Sequence, residues 1–346
     1  MKSDEKLIPI RDAHRFDESA LSEYLQDKLE GYKGPLNVQQ FEGGQSNPTF
    51  LISCGVKNYV LRKKPPGKLL PSAHQVEREY RVMKALEETD VPVPEMLILC
   101  EDDAVIGTPF FVMEYVHGRV LEDFTLPNKS PQERRAIYLD VVRVLAALHS
   151  VNYADLGLED FGKPGNYFSR QIGRWSKQYV ASRTDEIVSM ERLMEYLPKN
   201  VPDDDTSCIV HGDFRMGNML FHPTEPKVVA MLDWELSTLG HALGDLGYSC
   251  MPYHSGLTGL RSLEGLTGPD SGILSEDEFV DQYCRLTGRD SIANFNFYLA
   301  FSFFRLASIL QGVYKRGIMG NASSTVAIER GRLAREIADI AWSLLE

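Results

Sequence analysis

Five short β-rich runs crowd into the first 115 or so residues of this 346-residue chain, and beyond them the apolar periodicity turns mainly helical. That asymmetry predicts an α+β chain of two lobes. A small antiparallel sheet lobe with one crossing helix is expected over 1–115, and a larger, mainly helical lobe over 116–346. The runs are NVQQF (37–41), TFLISC (49–54), NYVLRKK (58–64), MLILC (96–100) and PFFVMEYV (109–116), which read as a five-stranded sheet. The loop GGQSNP separates the first two. Ahead of them Asp17 is placed to cap a helix over Glu18 to Glu30 that Gly31 ends, and Pro35 restarts the chain in extended form.

The crossing helix is HQVEREYRVMKALEE (74–88), opened by Ser72, with Val76, Tyr80, Met83 and Leu86 spaced as one apolar face and Glu79 off that stripe. In the helical part, Ser130, Pro131 and Glu133 supply a cap, an N1 proline and a capping-box partner for a helix that ends near His149. Strands recur only around 207–213, 218–222 and 227–234. The apolar stretch from Phe295 to Val313 has the length of a membrane span, but Arg305 in its middle would cost roughly 2.5–3.5 kcal/mol on insertion, so a buried core helix is expected.

Composition removes several classes of function. At 43% hydrophobic and 25% charged residues the chain should fold compactly, and its length suits two cores. A net charge of -12 argues against nucleic acid or an anionic membrane as the main partner, so any anion must be met by a local cluster. The five cysteines are odd in number, scattered and free of any C-x-x-C pair, which points to buried packing in a reducing compartment. The charged N-terminus has neither a signal peptide's apolar stretch nor a transit peptide's basic character, and a cytoplasmic location is expected. Nothing in the pattern fixes an oligomeric state.

The chemistry is concentrated in His211-Gly212-Asp213-Phe214-Arg215-Met216-Gly217-Asn218, an H-x-D-x4-N pattern, followed 20 residues after Asp213 by Asp233-Trp234-Glu235. Phosphoryl transfer needs a carboxylate to orient and deprotonate a hydroxyl, and an amide plus a second carboxylate to hold Mg²⁺ against the phosphates. Asp213, Asn218 and Asp233 supply that set. The plainer alternative makes HGD a surface turn and Asp233 a helix cap. Both motifs in this order, behind a β-rich lobe, favour the catalytic reading.

These residues, with GGQSNPTF (43–50), YVLRKKPPG (59–67), HQVEREYRV (74–82), FVMEYV (111–116) and LDWELSTLGHALGDLG (232–247), resemble the aminoglycoside phosphotransferase and choline kinase superfamily. The resemblance is closer still to the kinase-like domain fused ahead of certain acyl-CoA dehydrogenases, and it spans roughly residues 35 to 330. It implies a protein-kinase-like fold that uses ATP and Mg²⁺, with Asp213 as base and Asn218 and Asp233 as metal ligands. Gly43, Gly44, Gln45, Ser46 and Asn47 should cover the phosphates with backbone N–H groups. Arg62 stands where a strand lysine often holds the phosphates, with Glu79 as its partner and Glu77 as the alternative. Backbone groups of Glu114, Tyr115 and Val116 are expected to read the adenine edge. Arg215 would neutralise charge on the transferred phosphoryl, His211 would brace the loop, and Asp245 would stiffen it.

The acceptor is expected to be a small hydroxylated molecule. Phe301, Phe304 and Leu306 beside Arg305, Lys315 and Arg316, together with Arg174-Trp175, combine apolar and cationic groups, although the pattern alone fits ordinary core aromatics and a solvated helix end at least as well. The resemblance to domains fused to acyl-CoA dehydrogenases tips the expectation to a hydroxyacyl-CoA or hydroxy acid rather than a polycationic aminoglycoside. Two rivals follow from particular residues. Arg62 in place of lysine suggests a nucleotide-binding pseudokinase. Asp12-x-His14 with His211-Gly212-Asp213 imitates fragments of a two-metal phosphohydrolase, but no G-N-H-D or G-N-H-E completes it.

Overall fold

The computed structural model describes residues 6–42, 47–67, 74–254, 262–320 and 327–346. In chain order they form β1 (Leu7–Ile8), α1 (Glu18–Lys28), β2 (Leu36–Phe41), β3 (Thr49–Cys54), β4 (Lys57–Lys63), α2 (Val76–Leu86), β5 (Met96–Cys100), α3 (Asp103–Ile106), β6 (Phe110–Glu114) and β7 (Arg119–Val120). Then follow α4 (Pro131–Ser150), α5 (Tyr167–Ser182), α6 (Val188–Tyr196), β8 (Cys208–Val210), β9 (Met219–Phe221), β10 (Val228–Met231), β11 (Thr238–Gly240), α7 (Ala242–Cys250), α8 (Glu276–Thr287), α9 (Phe295–Ile318), α10 (Ala327–Arg332) and α11 (Ala334–Ser343). Two compact units result, and neither is one continuous stretch. The first takes Met1–Glu122, Ala154–Phe161 and Met216–Ser237; the second takes Asp123–Tyr153, Gly162–Arg215 and Thr238–Glu346.

The first unit is built on an antiparallel sheet of order β1-β2-β3-β4-β6-β5. Its six strands exceed the expected five because Leu7 and Ile8 pair with Phe41 and Gln40, a two-residue ladder too short to carry any alternation. Strand alternation gives the sheet two apolar faces. On one, Leu21, Leu25 and Leu29 at α1 pack with Phe50, Ile52, Tyr59, Leu61, Phe110 and Val112. The N-terminus of α1 is tied by Asp17, whose carboxylate accepts from the N–H groups of Ser19 and Ala20. The other face meets α2, where Tyr80 lies 6.3 Å from the Phe111 ring.

Helix α2 departs from expectation in one residue that matters. Its buried set is Val76, Glu79, Val82, Met83 and Leu86, so Glu79 sits on the covered stripe rather than off it. The spacing was sufficient to show this, since Glu79 is three residues from both Val76 and Val82. Tyr80, although it reaches the Phe111 ring, is only half-buried. A second, small sheet of order β10-β9-β7 also belongs to this unit.

In the second unit α4 begins with the expected capping box: the Glu133 N–H donates to Ser130 Oγ at 3.2 Å and the Ser130 N–H to Glu133 Oε2 at 3.1 Å. Helix α9 packs against α5, α7, α10 and α11. Among the described residues it is the one helix long and apolar enough to cross a membrane, and 67% of its most apolar window is buried inside the protein, as in a core helix. Phe301 and Phe304 are among its fully covered side chains, and the Phe168 ring meets Phe301 edge-on at 5.0 Å. They are core, which corrects their reading as lining for an acceptor. All five cysteines are buried thiols without disulfides.

Candidate active site

Alternation along β4 decides what its two adjacent cations can reach. Tyr59 and Leu61 belong to the α1 face, and Lys63 follows them, its ammonium 5.4 Å from the Phe16 ring. Arg62 points the other way, towards α2. Its Nε lies 3.1 Å from Glu79 Oε2, while Nη2 lies 2.8 Å from Asp233 Oδ1 and 3.8 Å from Glu235 Oε2. One guanidinium thus meets three carboxylates, which a lysine ammonium, with no planar fork, is less suited to do.

The expected partner, Glu79, is therefore the one Arg62 has; the alternative, Glu77, pairs with Lys64 at 2.9 Å. Burial pushes the Glu79 carboxyl up to about 7, against the pull of Arg62 and Asn47 and with added repulsion from Asp233 and Glu235. Those same carboxylates overcome the desolvation of Arg62 and hold its guanidinium above its usual value. Asn47, expected to help cover phosphates, is fully buried and donates from Nδ2 to Glu79 Oε1 at 2.8 Å. His74 Nδ1 lies 3.0 Å from Asn47 Oδ1, a contact that sequence spacing did not suggest. Gly43, Gly44, Gln45 and Ser46 lie outside the described residues, as does Ser72.

The β9–β10 ladder brings the other two motif residues of this unit together. Met219 pairs with Met231, and the Leu232 N–H donates to the Asn218 carbonyl at 2.8 Å, so Asn218 and Asp233 sit at the same end of the hairpin. Asp233 has φ +66° and leads into the short turn Trp234–Leu236 with no side-chain capping bond, which disfavours the helix-cap alternative. Trp234 anchors that turn, fully buried, its Nε1 donating to the Met231 carbonyl at 3.1 Å. Glu114, the first residue of the expected adenine-reading segment, ends β6, and its N–H donates to the Glu95 carbonyl at 2.9 Å. Tyr115 follows, edge-on to His117 at 4.9 Å.

The residues of the HGDFR segment, His211 to Arg215, belong to the second unit. Asp245, in the first turn of α7, is fully buried and grips the loop with both oxygens: the His211 N–H donates to Oδ2 at 2.6 Å and the Gly212 N–H to Oδ1 at 2.9 Å. Burial works to raise the Asp245 carboxyl, but His149, the His211 ring and the His211 N–H more than offset it and hold it below its usual value. Gly212 has φ +83°, a conformation that a side chain would strain. His211 is buried, and its Nδ1 accepts from the Asp213 N–H at 3.2 Å.

Asp213 Oδ2 accepts from Arg215 Nε at 3.2 Å, and Oδ1 accepts from the Tyr248 hydroxyl at 2.6 Å. Arg305, read in the sequence as a cost to membrane insertion and as one of the cations for an acceptor, donates to the Gly212 carbonyl at 2.6 Å. Its guanidinium lies 5.6 Å from the Tyr248 ring and 5.7 Å from the Trp175 ring. Tyr248 and Arg305 are the contacts that motif reading missed. A signal for Tyr248 existed: it stands three residues after Asp245, on the same face of α7.

Within the first unit, both residues of the Asp12-x-His14 fragment have local partners. Asp12 pairs with Arg15 at 3.0 Å and His14 Nδ1 meets Gln40 Nε2 at 2.8 Å. Among the described residues no three His, Cys, Asp or Glu side chains form a metal-holding group.

Comparison with known proteins places this geometry. Mouse acyl-CoA dehydrogenase family member 10 is 47% identical over 337 residues, covering 96% of this chain and 32% of the relative. The chain spans less than half the length of the curated acyl-CoA dehydrogenase relatives it matches. A crystal structure from Ralstonia eutropha JMP134, assigned provisionally as an aminoglycoside phosphotransferase, is 51% identical with a TM-score of 0.89, covering 95% of this chain and 98% of the other. A thermostable mutant of aminoglycoside phosphotransferase APH(4)-Ia, in ternary complex with ADP and hygromycin B, is 15% identical with a TM-score of 0.62, covering 95% and 98%, a likeness of fold. The α+β, protein-kinase-like fold expected from the sequence is the fold found. Residues 37–286 match the model of the phosphotransferase enzyme family, and the chain belongs to that family.

Proposed function

We propose that this chain is an ATP-dependent kinase for a small hydroxylated molecule. The observation that carries the proposal is the joining of Asn218 and Asp233 at one end of the β9–β10 hairpin, with Arg62 bound to both Asp233 and Glu79. An amide oxygen and a carboxylate oxygen are hard donors that fit Mg²⁺, and Asp233 keeps a partly open side chain, 37% exposed. Bound there, the ion would neutralise charge on the ATP phosphates. Arg62 and the backbone of 43–47 would hold those phosphates, and backbone groups of 114–116 the adenine.

In the proposed reaction the Asp213 carboxylate takes the proton of the acceptor hydroxyl. The hydroxyl oxygen forms the new bond to the γ-phosphorus as the bond to the bridging oxygen breaks, and ADP leaves. Arg215, half-exposed beside Asp213, would follow the transferred phosphoryl, while Asp245 and His211 keep the loop in place. The Arg62–Glu79 pair speaks against the pseudokinase reading, because active kinases keep the equivalent pairing of strand cation and helix glutamate.

For the acceptor we propose a hydroxyacyl-CoA or hydroxy acid. With Phe301 and Phe304 in the core, support comes from the cations Arg174, Arg215 and Arg305 in the second unit and from relatives named acyl-CoA dehydrogenases. The test incubates the chain and Mg·ATP with a hydroxyacyl-CoA and hydroxy-acid panel or an aminoglycoside panel, following acceptor mass. Phosphorylation confined to aminoglycosides would sink the acceptor class and leave the kinase standing; nucleotide binding with no metal-dependent transfer to anything would favour the pseudokinase.

A further inference from the structure

We infer that Tyr248 is a positioning residue for the reaction: its hydroxyl fixes the Asp213 carboxylate through Oδ1, so that Oδ2 is the oxygen presented to the acceptor hydroxyl. The inference rests on the reading of Asp213 as the base. It begins from an asymmetry between the two oxygens. Oδ1 accepts from the Tyr248 phenol at 2.6 Å, whereas Oδ2 accepts at 3.2 Å from Arg215, whose side chain is 51% exposed. A short bond from a packed ring is a fixed restraint; a bond from a half-exposed guanidinium exchanges readily with water or a phosphoryl oxygen.

The ring that carries the phenol is itself held. Tyr248 stands on α7, one turn after Asp245, so the helix that grips the His211 and Gly212 amides also delivers the hydroxyl to Asp213. From α9, Arg305 lies 5.6 Å from the Tyr248 ring and ties the Gly212 carbonyl at 2.6 Å. Backbone and side chain of the base are thereby referenced to the same two helices. Burial, and then the Asp213 carboxylate, push the phenol further above its usual value, so Tyr248 serves as a donor and does not compete for the proton. A carboxylate fixed through one oxygen loses its rotation about the Cβ–Cγ bond. That is the freedom that must be removed before the other oxygen meets a hydroxyl in line with the phosphorus.

The experiment compares the unmutated chain with Tyr248→Phe, Asp213→Asn and the double variant, measuring ADP release from Mg·ATP with water as acceptor, so that acceptor identity does not enter. Tyr248→Phe keeps the ring and removes one oxygen. It should lower kcat by about 10- to 100-fold, the scale of a misplaced catalytic group, while KM for Mg·ATP stays within about twofold. In the Asp213→Asn background the same change should alter the rate by less than about twofold, because a residue that acts through the base has nothing left to act on. A Tyr248→Phe chain at the unmutated rate, with Asp213→Asn slowed, would overturn the inference and spare the base. So would an equal cost of Tyr248→Phe in both backgrounds, the mark of a general structural role. Equal rates for the unmutated chain and Asp213→Asn would remove the base itself and the inference with it.

Discussion

In the first unit a single guanidinium, Arg62, is surrounded by three carboxylates, and a fourth polar group, Asn47, completes the shell of Glu79. In the second unit the buried carboxylate, Asp245, is satisfied chiefly by backbone N–H groups, and the loop it holds presents Asp213 to a neutral phenol. The first arrangement is a charge cluster with an excess of anions, so what binds there next should be cationic or should itself redistribute charge. The second is closer to a geometric frame, in which backbone N–H groups and a phenol set the positions of the carboxylates, with His149 beside Asp245 and Arg215 beside Asp213 adding charge. Clusters of charged side chains respond to ions and pH; frames of backbone donors respond to shape.

The largest effect that could break this contrast is at the frame's working end. Asp213→Asn should lower turnover by roughly 10²–10⁴ while ATP affinity, measured by calorimetry, stays near that of the unmutated chain. Near-normal turnover would mean that the frame holds something other than a base. In the charge cluster, Asp233→Ala should raise the Mg²⁺ needed for half-maximal nucleotide binding by at least about tenfold, since even partners outside the metal's own shell cost about 10- to 100-fold. An unchanged Mg²⁺ dependence would detach Asp233 from the metal and leave it as an ion-pair partner of Arg62.

A smaller effect sharpens the comparison through pH. The Glu79 carboxyl stands at about 7 in the fold against an ordinary value of 4.5, chiefly because it is buried. A raised acid favours the folded state in its protonated form, so its contribution is full below about 4.5 and is lost as pH rises towards about 7. Glu79→Gln should therefore gain melting temperature relative to the unmutated chain as pH rises through that window. A difference that stays flat would show Glu79 ionised throughout, with Arg62 outweighing burial.

Much of the fold could be read from local patterns, because the patterns report local physics. Asp17 and the Ser130/Glu133 box mark helix starts in the sequence, and both caps are made. The same logic was available at Ser275 and Glu278, which form a second capping box at α8. What stayed hidden depends on distant contacts. The Leu7–Ile8 strand exists only by pairing with Gln40 and Phe41, and the burial of Phe301 depends on Tyr167 and Phe168 arriving from α5. The site divides the same way: Asp213, Asn218 and Asp233 sit inside motifs, whereas Tyr248 reaches Asp213 across 35 residues and Arg305 reaches Gly212 across 93.

Arg62 and Lys63 are neighbours in sequence on opposite faces of β4, one among carboxylates and the other beneath Phe16. A slip of one position in the pairing of β4 with β3 and β6 would bring the ammonium into the carboxylate cluster and drive the guanidinium into an apolar layer built for a methylene chain. Both exchanges are unfavourable, and they arise from the same displacement. The strand thus carries a two-residue proofreading device: a folding chain that aligns this hairpin wrongly is penalised twice, before any substrate has been met.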